Sequence, residues 1–132
     1  MSKFTFEHIH LRSPDPEATA AYYEKMFDAE VIRSAPDGKP RIDLKLGGCD
    51  IFIAPVKPGD KVGQPPETPY QGLDHFGLCV KDIDATVAEL KAKGAEFTMD
   101  PFDIRPGVRI AFIRAPQGVS IELLQRNPEL GL

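Results

Sequence analysis

The sequence predicts an α+β fold built from two consecutive βαβββ modules, their strands forming one curved, eight-stranded mixed sheet with the helices outside. One reason is size. With 132 residues, 42% hydrophobic and 27% charged, the composition is that of a globular chain able to bury a sizeable core. A second is internal repetition. EHIHLRSPDPEAT, residues 7–19, aligns with DHFGLCVKDIDAT, residues 74–86, pairing His8 with His75, Leu11 with Leu78 and Asp15 with Asp82. Later matches keep the same order: Ala29-Glu30 with Ala95-Glu96, Arg41-Ile42 with Arg109-Ile110, and Gly48–Ile51 with Gly118–Ile121. The third is punctuation. PVKPGDKVGQPPETPYQG, residues 55–72, carries five prolines and suits neither a helix interior nor a central strand. We therefore expect a first module at 1–56, a linker at 57–71 and a second module at 72–132.

The elements follow in order. FEHIHLR alternates apolar and polar residues as a strand does. Asp15 or Ser13 can cap a helix running to Phe27, with Tyr22, Tyr23, Met26 and Phe27 as its apolar stripe. EVIRSA, RIDLKLG and CDIFIAPV are three further strands. In the second copy a strand at 73–80 precedes a helix at 82–93, capped by Asp82 and ended by Gly94, since the left-handed position past a helix suits glycine. Strands are then expected at about 95–99, 108–115 and 118–125. Between them DPFDIRPGV reads as a loop. A module of four strands and one helix leaves a sheet face uncovered, and the concavity formed by two such faces is where a ligand belongs.

Composition narrows the function. A net charge of −4, from 20 acidic residues against 16 Lys and Arg, gives no basic footprint for nucleic acid. No apolar run approaches the roughly 20 residues of a membrane span, and the polar opening MSKFTFEH does not read as a signal peptide. The two cysteines, Cys49 and Cys79, form no CxxC motif. Both lie in apolar strand-like runs and are expected to be reduced core residues of a cytoplasmic protein.

The strand LDHFGLCV poses the functional question. Phe76, Leu78 and Val80 can pack a core, so His75, Gly77 and Cys79 share the other face, with room beside the imidazole. A core histidine satisfied by one hydrogen bond is the structural alternative; a metal ligand is the chemical one. His8 occupies the equivalent strand position. Glu122, between Ile121 and Leu123, places a carboxylate in an apolar strand, which is costly unless it is paired or bound to a metal. Two imidazoles and a carboxylate make the triad typical of Fe(II), and Zn, Mn, Ni or Co also accept such ligands. Three protein ligands leave positions open for water and substrate.

HIHLRSPDPEATAAYYEKMF, LDHFGLCVKDIDA and RIAFIRAPQGVSIELLQ together resemble the vicinal oxygen chelate superfamily, which holds glyoxalase I, bleomycin and fosfomycin resistance proteins, methylmalonyl-CoA epimerase and extradiol dioxygenases. That resemblance implies metal ligands from the first and last strands of each module, at His8, Phe52, His75 and Glu122. Phe52 departs from it, because a phenylalanine neither binds a metal nor moves a proton; it is left to line the substrate site. His10 shares the face of His8 and is expected to contact substrate or support catalysis beside Glu122. Arg12, Arg105, Arg109 and Tyr70 are further candidates for substrate contact, and Arg41 is the repeat partner of Arg109. The resemblance implies a metal-dependent, glyoxalase-like lyase or isomerase acting on a small metabolite through vicinal oxygens, and a homodimer. An Fe(II) dioxygenase and a non-catalytic, ligand-sequestering protein are the alternatives. Against the dioxygenase, the chain has only three histidines and no tyrosine on the late strands of its second module.

Overall fold

A computed structural model describes residues 1–127. The last five residues of the expected second module lie outside the described residues. The chain forms two compact units, Met1–Gly63 and Gln64–Leu132, each a βαβββ module with its own four-stranded mixed sheet.

In the first unit, β1 (His8–Ser13) leads into α1 (Pro16–Phe27), and β2 (Glu30–Ser34), β3 (Arg41–Leu46) and β4 (Cys49–Pro55) follow. The sheet order is β1-β4-β3-β2, with β1 parallel to β4 and the others antiparallel. Of the two expected caps, Asp15 is the one that caps α1, its carboxylate accepting from the Ala18 amide at 3.1 Å. Ser13 is fully buried instead, accepting from the Asp15 amide at 3.0 Å and from Thr19 Oγ1 at 2.7 Å. Ala20, Tyr23 and Met26 of α1 and Ile42, Leu44, Ile51 and Ile53 of the sheet supply the core. Burial raises the pKa of Tyr23 far above that of a free phenol. β1 starts at His8, two residues later than expected, and Phe4 and Phe6 are exposed.

In the second unit, β5 (Phe76–Cys79) leads into α2 (Ile83–Ala92), then β6 (Glu96–Arg105), β7 (Val108–Arg114) and β8 (Ser120–Arg126), in the order β5-β8-β7-β6. Asp82 caps α2, accepting from the Ala85 amide, and Gly94 takes the left-handed conformation after it with φ +94°. Ile83, Val87 and Leu90 join Ala111, Ile113, Ile121 and Leu123 in the core.

Three expectations differ from this arrangement. DPFDIRPGV is not a loop: β6 continues through Pro101 to Arg105, and only Pro106-Gly107 turns. Proline is tolerated there because β6 is an edge strand, whose register against β7 is broken on either side of Met99 and again near Arg105. Cys79 is exposed and Cys49 half-buried, so neither is a core residue. Phe76, Leu78 and Val80 are half-buried on the short strand β5, not fully enclosed. The segment 56–75 contains neither helix nor strand. No described helix is long and apolar enough to cross a membrane.

Ile121, fully buried on β8, tests the core of the second unit. Ile121→Ala is expected to lower unfolding free energy by about 2–5 kcal/mol, measured by urea denaturation. Glu122→Gln, on the same strand but half out of the core, serves as the control and should shift the midpoint far less.

Candidate functional site

The site in the second unit follows from one strand pairing. β5 runs parallel to β8 with Gly77 opposite Glu122. His75 and Gly77 alternate onto the face of β5 that Glu122 occupies on β8. His75 Nε2 lies 3.6 Å from Glu122 Oε2, an ion-pair contact too long for a hydrogen bond. The other ring nitrogen, Nδ1, is 2.9 Å from Asp74 Oδ2. Asp74 is held in turn: its Oδ1 accepts from the Tyr70 backbone amide at 3.2 Å. The hydrogen bond from His75, then that from Tyr70, keeps the Asp74 carboxyl below the usual carboxylate range, with burial opposing. The edge of the His75 ring meets Phe112, 5.0 Å between centroids, and Phe112 lies opposite Glu122 on β7. Gly77 leaves space: a Cβ there would sit 3.8 Å from Glu122 Oε1.

A carboxylate on Nδ1 fixes the ring and its tautomer and leaves Nε2 to face a ligand. Two N and O ligands held about 2.1 Å from one ion at a near-tetrahedral angle are about 3.4 Å apart. The observed 3.6 Å between Nε2 and Oε2 suits that spacing, so His75 and Glu122 fit two positions of a divalent metal. Within either unit, no three described His, Cys, Asp or Glu side chains form a complete metal-holding group.

The first unit repeats the motif with changes. His8 Nδ1 lies 3.3 Å from the carboxylate of Glu7, the residue before it, as His75 does from Asp74. Where the second unit has Glu122, the strand β4 carries Phe52, whose ring stacks on His8 with centroids 4.2 Å apart. His10 lies opposite Phe52 on β1 and meets its ring edge-on at 6.4 Å. Asp43 on β3 is the other cross-strand partner of Phe52. Its Oδ2 accepts from Arg41 Nε at 2.8 Å, while Oδ1 is buried without a hydrogen-bond partner. The Arg41 guanidinium lies over the Phe52 ring, 4.6 Å from its centroid. His8, His10, Lys39, Arg41, Asp43 and Phe52 all border a cavity of about 570 Å³.

The remaining candidates are placed as follows. Arg12 is exposed on β1, level with Ala54 and outside the lining of that cavity. Arg105 is exposed at the end of β6 rather than in a loop. Tyr70 contributes its backbone amide to Asp74. Arg109 is tied to Asp84 of α2 at 3.0 Å and to Asp103 at 3.3 Å, bonds that raise its pKa further. Ladder register explains its divergence from Arg41. Asp43 faces Phe52, and Phe112 faces Glu122, so Ile110, not Arg109, is the structural counterpart of Arg41. The sequence alignment is one residue out on this strand, and a slip of one turns a side chain to the opposite face. Sequence reasoning missed Asp74 and Glu7. The signal was present, since both aligned copies read acid-histidine, EH and DH.

Comparison with known proteins matches residues 5–123 to the glyoxalase/bleomycin resistance protein/dioxygenase superfamily. The chain is 27% identical over 126 residues to a lactoylglutathione lyase of Arabidopsis thaliana, covering 93% of this chain and 44% of that protein. It is 27% identical over 130 residues to a protein of Vibrio cholerae named "Probable lactoylglutathione lyase", covering 96% of this chain and 94% of the other. The chain thus spans about half the length of some curated relatives and nearly all of another. Among solved structures, SMU.1112c is similar at 25% identity with a TM-score of 0.74, covering 93% of this chain and 99% of that one.

Because the folded Asp74 carboxyl titrates below its ordinary value of 3.8, its interaction contributes stability above that value and loses it as pH falls through the folded pKa. Asp74→Asn should therefore be less stable than the parent at pH 6. The two thermal midpoints should converge as pH is lowered below about 3.8, read by circular dichroism across a pH series.

Proposed function

The chain belongs to the glyoxalase/bleomycin resistance protein/dioxygenase superfamily, and on that premise we propose that it is a metal-dependent, glyoxalase-type lyase or isomerase of a small metabolite bearing vicinal oxygens. The observation that carries this reading is the buttressed pair of the second unit, His75 fixed by Asp74 on one nitrogen and facing Glu122 with the other. His75 and Glu122 are the proposed ligands of a divalent metal, Fe2+, Zn2+, Ni2+, Mn2+ or Co2+. His8, with the Glu7 carboxylate 3.3 Å from its Nδ1, is the proposed third. The relatives named as lactoylglutathione lyases support the reaction class.

A bound divalent ion supplies Lewis acidity, polarising a carbonyl and its neighbouring oxygen. The protein's own groups move the proton. Glu122 has two oxygens with different surroundings: Oε2 faces His75, and Oε1 lies toward the open side of Gly77. We assign it the transfer from the carbon beside the carbonyl to the adjacent carbon. A C–H bond breaks on the hydroxyl-bearing carbon, its electron pair passing toward the carbonyl oxygen. A C–H bond then forms on the former carbonyl carbon, whose oxygen takes up a proton while the original hydroxyl oxygen gives one up and becomes the new carbonyl. No external oxidant or reductant is consumed. The half-buried setting of Glu122, with 18% of its side chain exposed, limits competition from water. His10, beside Phe52 on the same sheet face as His8, is the proposed hydrogen-bonding group for the substrate oxygen. Arg12, Arg105 and the Tyr70 side chain remain proposed substrate contacts. The same reading includes a cytoplasmic homodimer. Its support is the family resemblance and two free cysteines, which suit a reducing compartment.

Metal analysis combined with turnover tests this function. Parent protein should carry near-stoichiometric divalent metal, and His75→Ala should lose most of it. Glu122→Gln should lose affinity for the metal and about 10²–10⁴ in kcat when metal is supplied in excess. Asp74→Asn should weaken metal binding by about 10- to 100-fold. Oxygen uptake with catechols under Fe(II) would replace this reading with ring cleavage. Tight capture of a ligand without turnover would replace it with sequestration.

A further inference from the structure

Phe52 is left unexplained by the proposed metal set, and the first unit shows what surrounds it. His8 and Arg41 approach the ring from opposite ends of the strand. His8 on β1 is level with Asp50, two residues before Phe52, whereas Arg41 on β3 lies beyond Asp43 toward Ala54. The phenyl ring thus separates an imidazole from a guanidinium, at 4.2 Å from the first and 4.6 Å from the second.

Arg41 is fixed by two contacts. Phe52 supports its plane, and Asp43 holds Nε at 2.8 Å. Neither contact uses the two terminal nitrogens, which have no hydrogen-bond partner among the described residues. A guanidinium anchored by Nε and a ring face presents the remaining pair of nitrogens as a planar fork, the geometry that binds a carboxylate bidentately. Lys39, whose ammonium has no ion-pair partner among the described residues, borders the same cavity, as does Asp37. The partnerless buried oxygen on Asp43 argues against a role in stability alone, because leaving such an oxygen unpaired is destabilising. Pro36, Pro40 and Phe52 give the cavity apolar walls, and about 570 Å³ is more than a three-carbon acid fills.

We propose that Arg41, braced by Asp43 and Phe52, is a carboxylate-binding residue beside His8, and that the substrate is a carboxylic acid with an apolar body that carries a hydroxyl and a carbonyl on adjacent carbons beside the carboxylate. This deepens the proposed function and rests on it for the chemistry, but the carboxylate grip itself needs no metal. Phe52 then serves as a platform for the cation that binds the acid, and Asp43 and Phe52 are positioning residues.

Binding of benzoylformate and of its neutral amide, benzoylformamide, to the full-length chain in EDTA at low salt isolates the grip. Isothermal titration of the parent should show the acid bound at least 10-fold more tightly than the amide. Arg41→Met should bring that ratio close to one and Arg41→Lys should retain part of it. Phe52→Leu, which keeps bulk without a ring, should lower it partway. Circular dichroism and thermal melting establish that each variant is folded. Equal binding of acid and amide by the parent would overturn the proposal, as would an unchanged ratio in folded Arg41→Met. Metal content, measured separately, reports on the proposed function. A chain that holds no metal yet discriminates acid from amide through Arg41 would keep the grip and lose the lyase.

Discussion

Parallel pairing of β5 with β8 sets Gly77 level with Glu122 and brings the residue just before β5 within reach of that carboxylate. Much of the chemistry of the second unit depends on this register. It places an imidazole and a carboxylate on one sheet face while Ile121 and Leu123, the neighbours of Glu122 in sequence, go into the core on the other. The pairing is robust because slipping it by one residue would bury Glu122 and expose two large aliphatic side chains. At about 1.5–3 kcal/mol for each buried side chain, before the cost of burying a carboxylate, that alternative is strongly disfavoured. The geometry of the site is therefore set by hydrophobic patterning on the opposite face of the same strands.

The imidazole gains its direction locally. Asp74 precedes His75 and its other oxygen is anchored by the Tyr70 amide, so the acid is itself oriented. Four residues of loop thus connect the end of the proline-rich segment to the ring plane of His75. The contact between Glu7 and His8 has the same logic with looser geometry. It spans 3.3 Å rather than 2.9 Å, and the Glu7 side chain is 75% exposed, against 34% for Asp74. A longer side chain in more water loses more rotamer entropy for a weaker bond, so the histidine of the first unit is the less constrained of the two.

Much of this was legible in the sequence because apolar periodicity and duplication are physical signals. Element order, the Asp82 cap and the glycine after α2 follow from residue type at the observed spacing, whereas residue type alone left the α1 cap between Asp15 and Ser13. Other features were not legible, for identifiable reasons. An edge strand tolerates proline and broken register, so Pro101 concealed the second half of β6. A half-buried strand of four residues gives no sign that Cys79 is exposed. The alignment of Arg41 with Arg109 failed because hairpins of unequal length shift the offset by one, and only paired backbones reveal which face a side chain takes. The acid-histidine dipeptides were visible as letters, but their meaning depends on the neighbour's carboxylate turning back to Nδ1.

The two units place the same two chemical groups in opposite order. In the second unit the last strand carries the carboxylate, Glu122, and its neighbour β7 carries the phenyl, Phe112. In the first unit the last strand carries the phenyl, Phe52, and its neighbour β3 carries the carboxylate, Asp43. In each unit the ring of the phenylalanine contacts the histidine, stacked on His8 and edge-on to His75. The carboxylates, however, meet different partners. Glu122 faces an imidazole nitrogen, whereas Asp43 is committed to a guanidinium. Exchanging the two groups between adjacent strands thus leaves one carboxylate facing an imidazole and the other paired with a guanidinium. A duplicated module relieved of symmetry in this way is free to differentiate, because neither copy has to keep the side chains of the other.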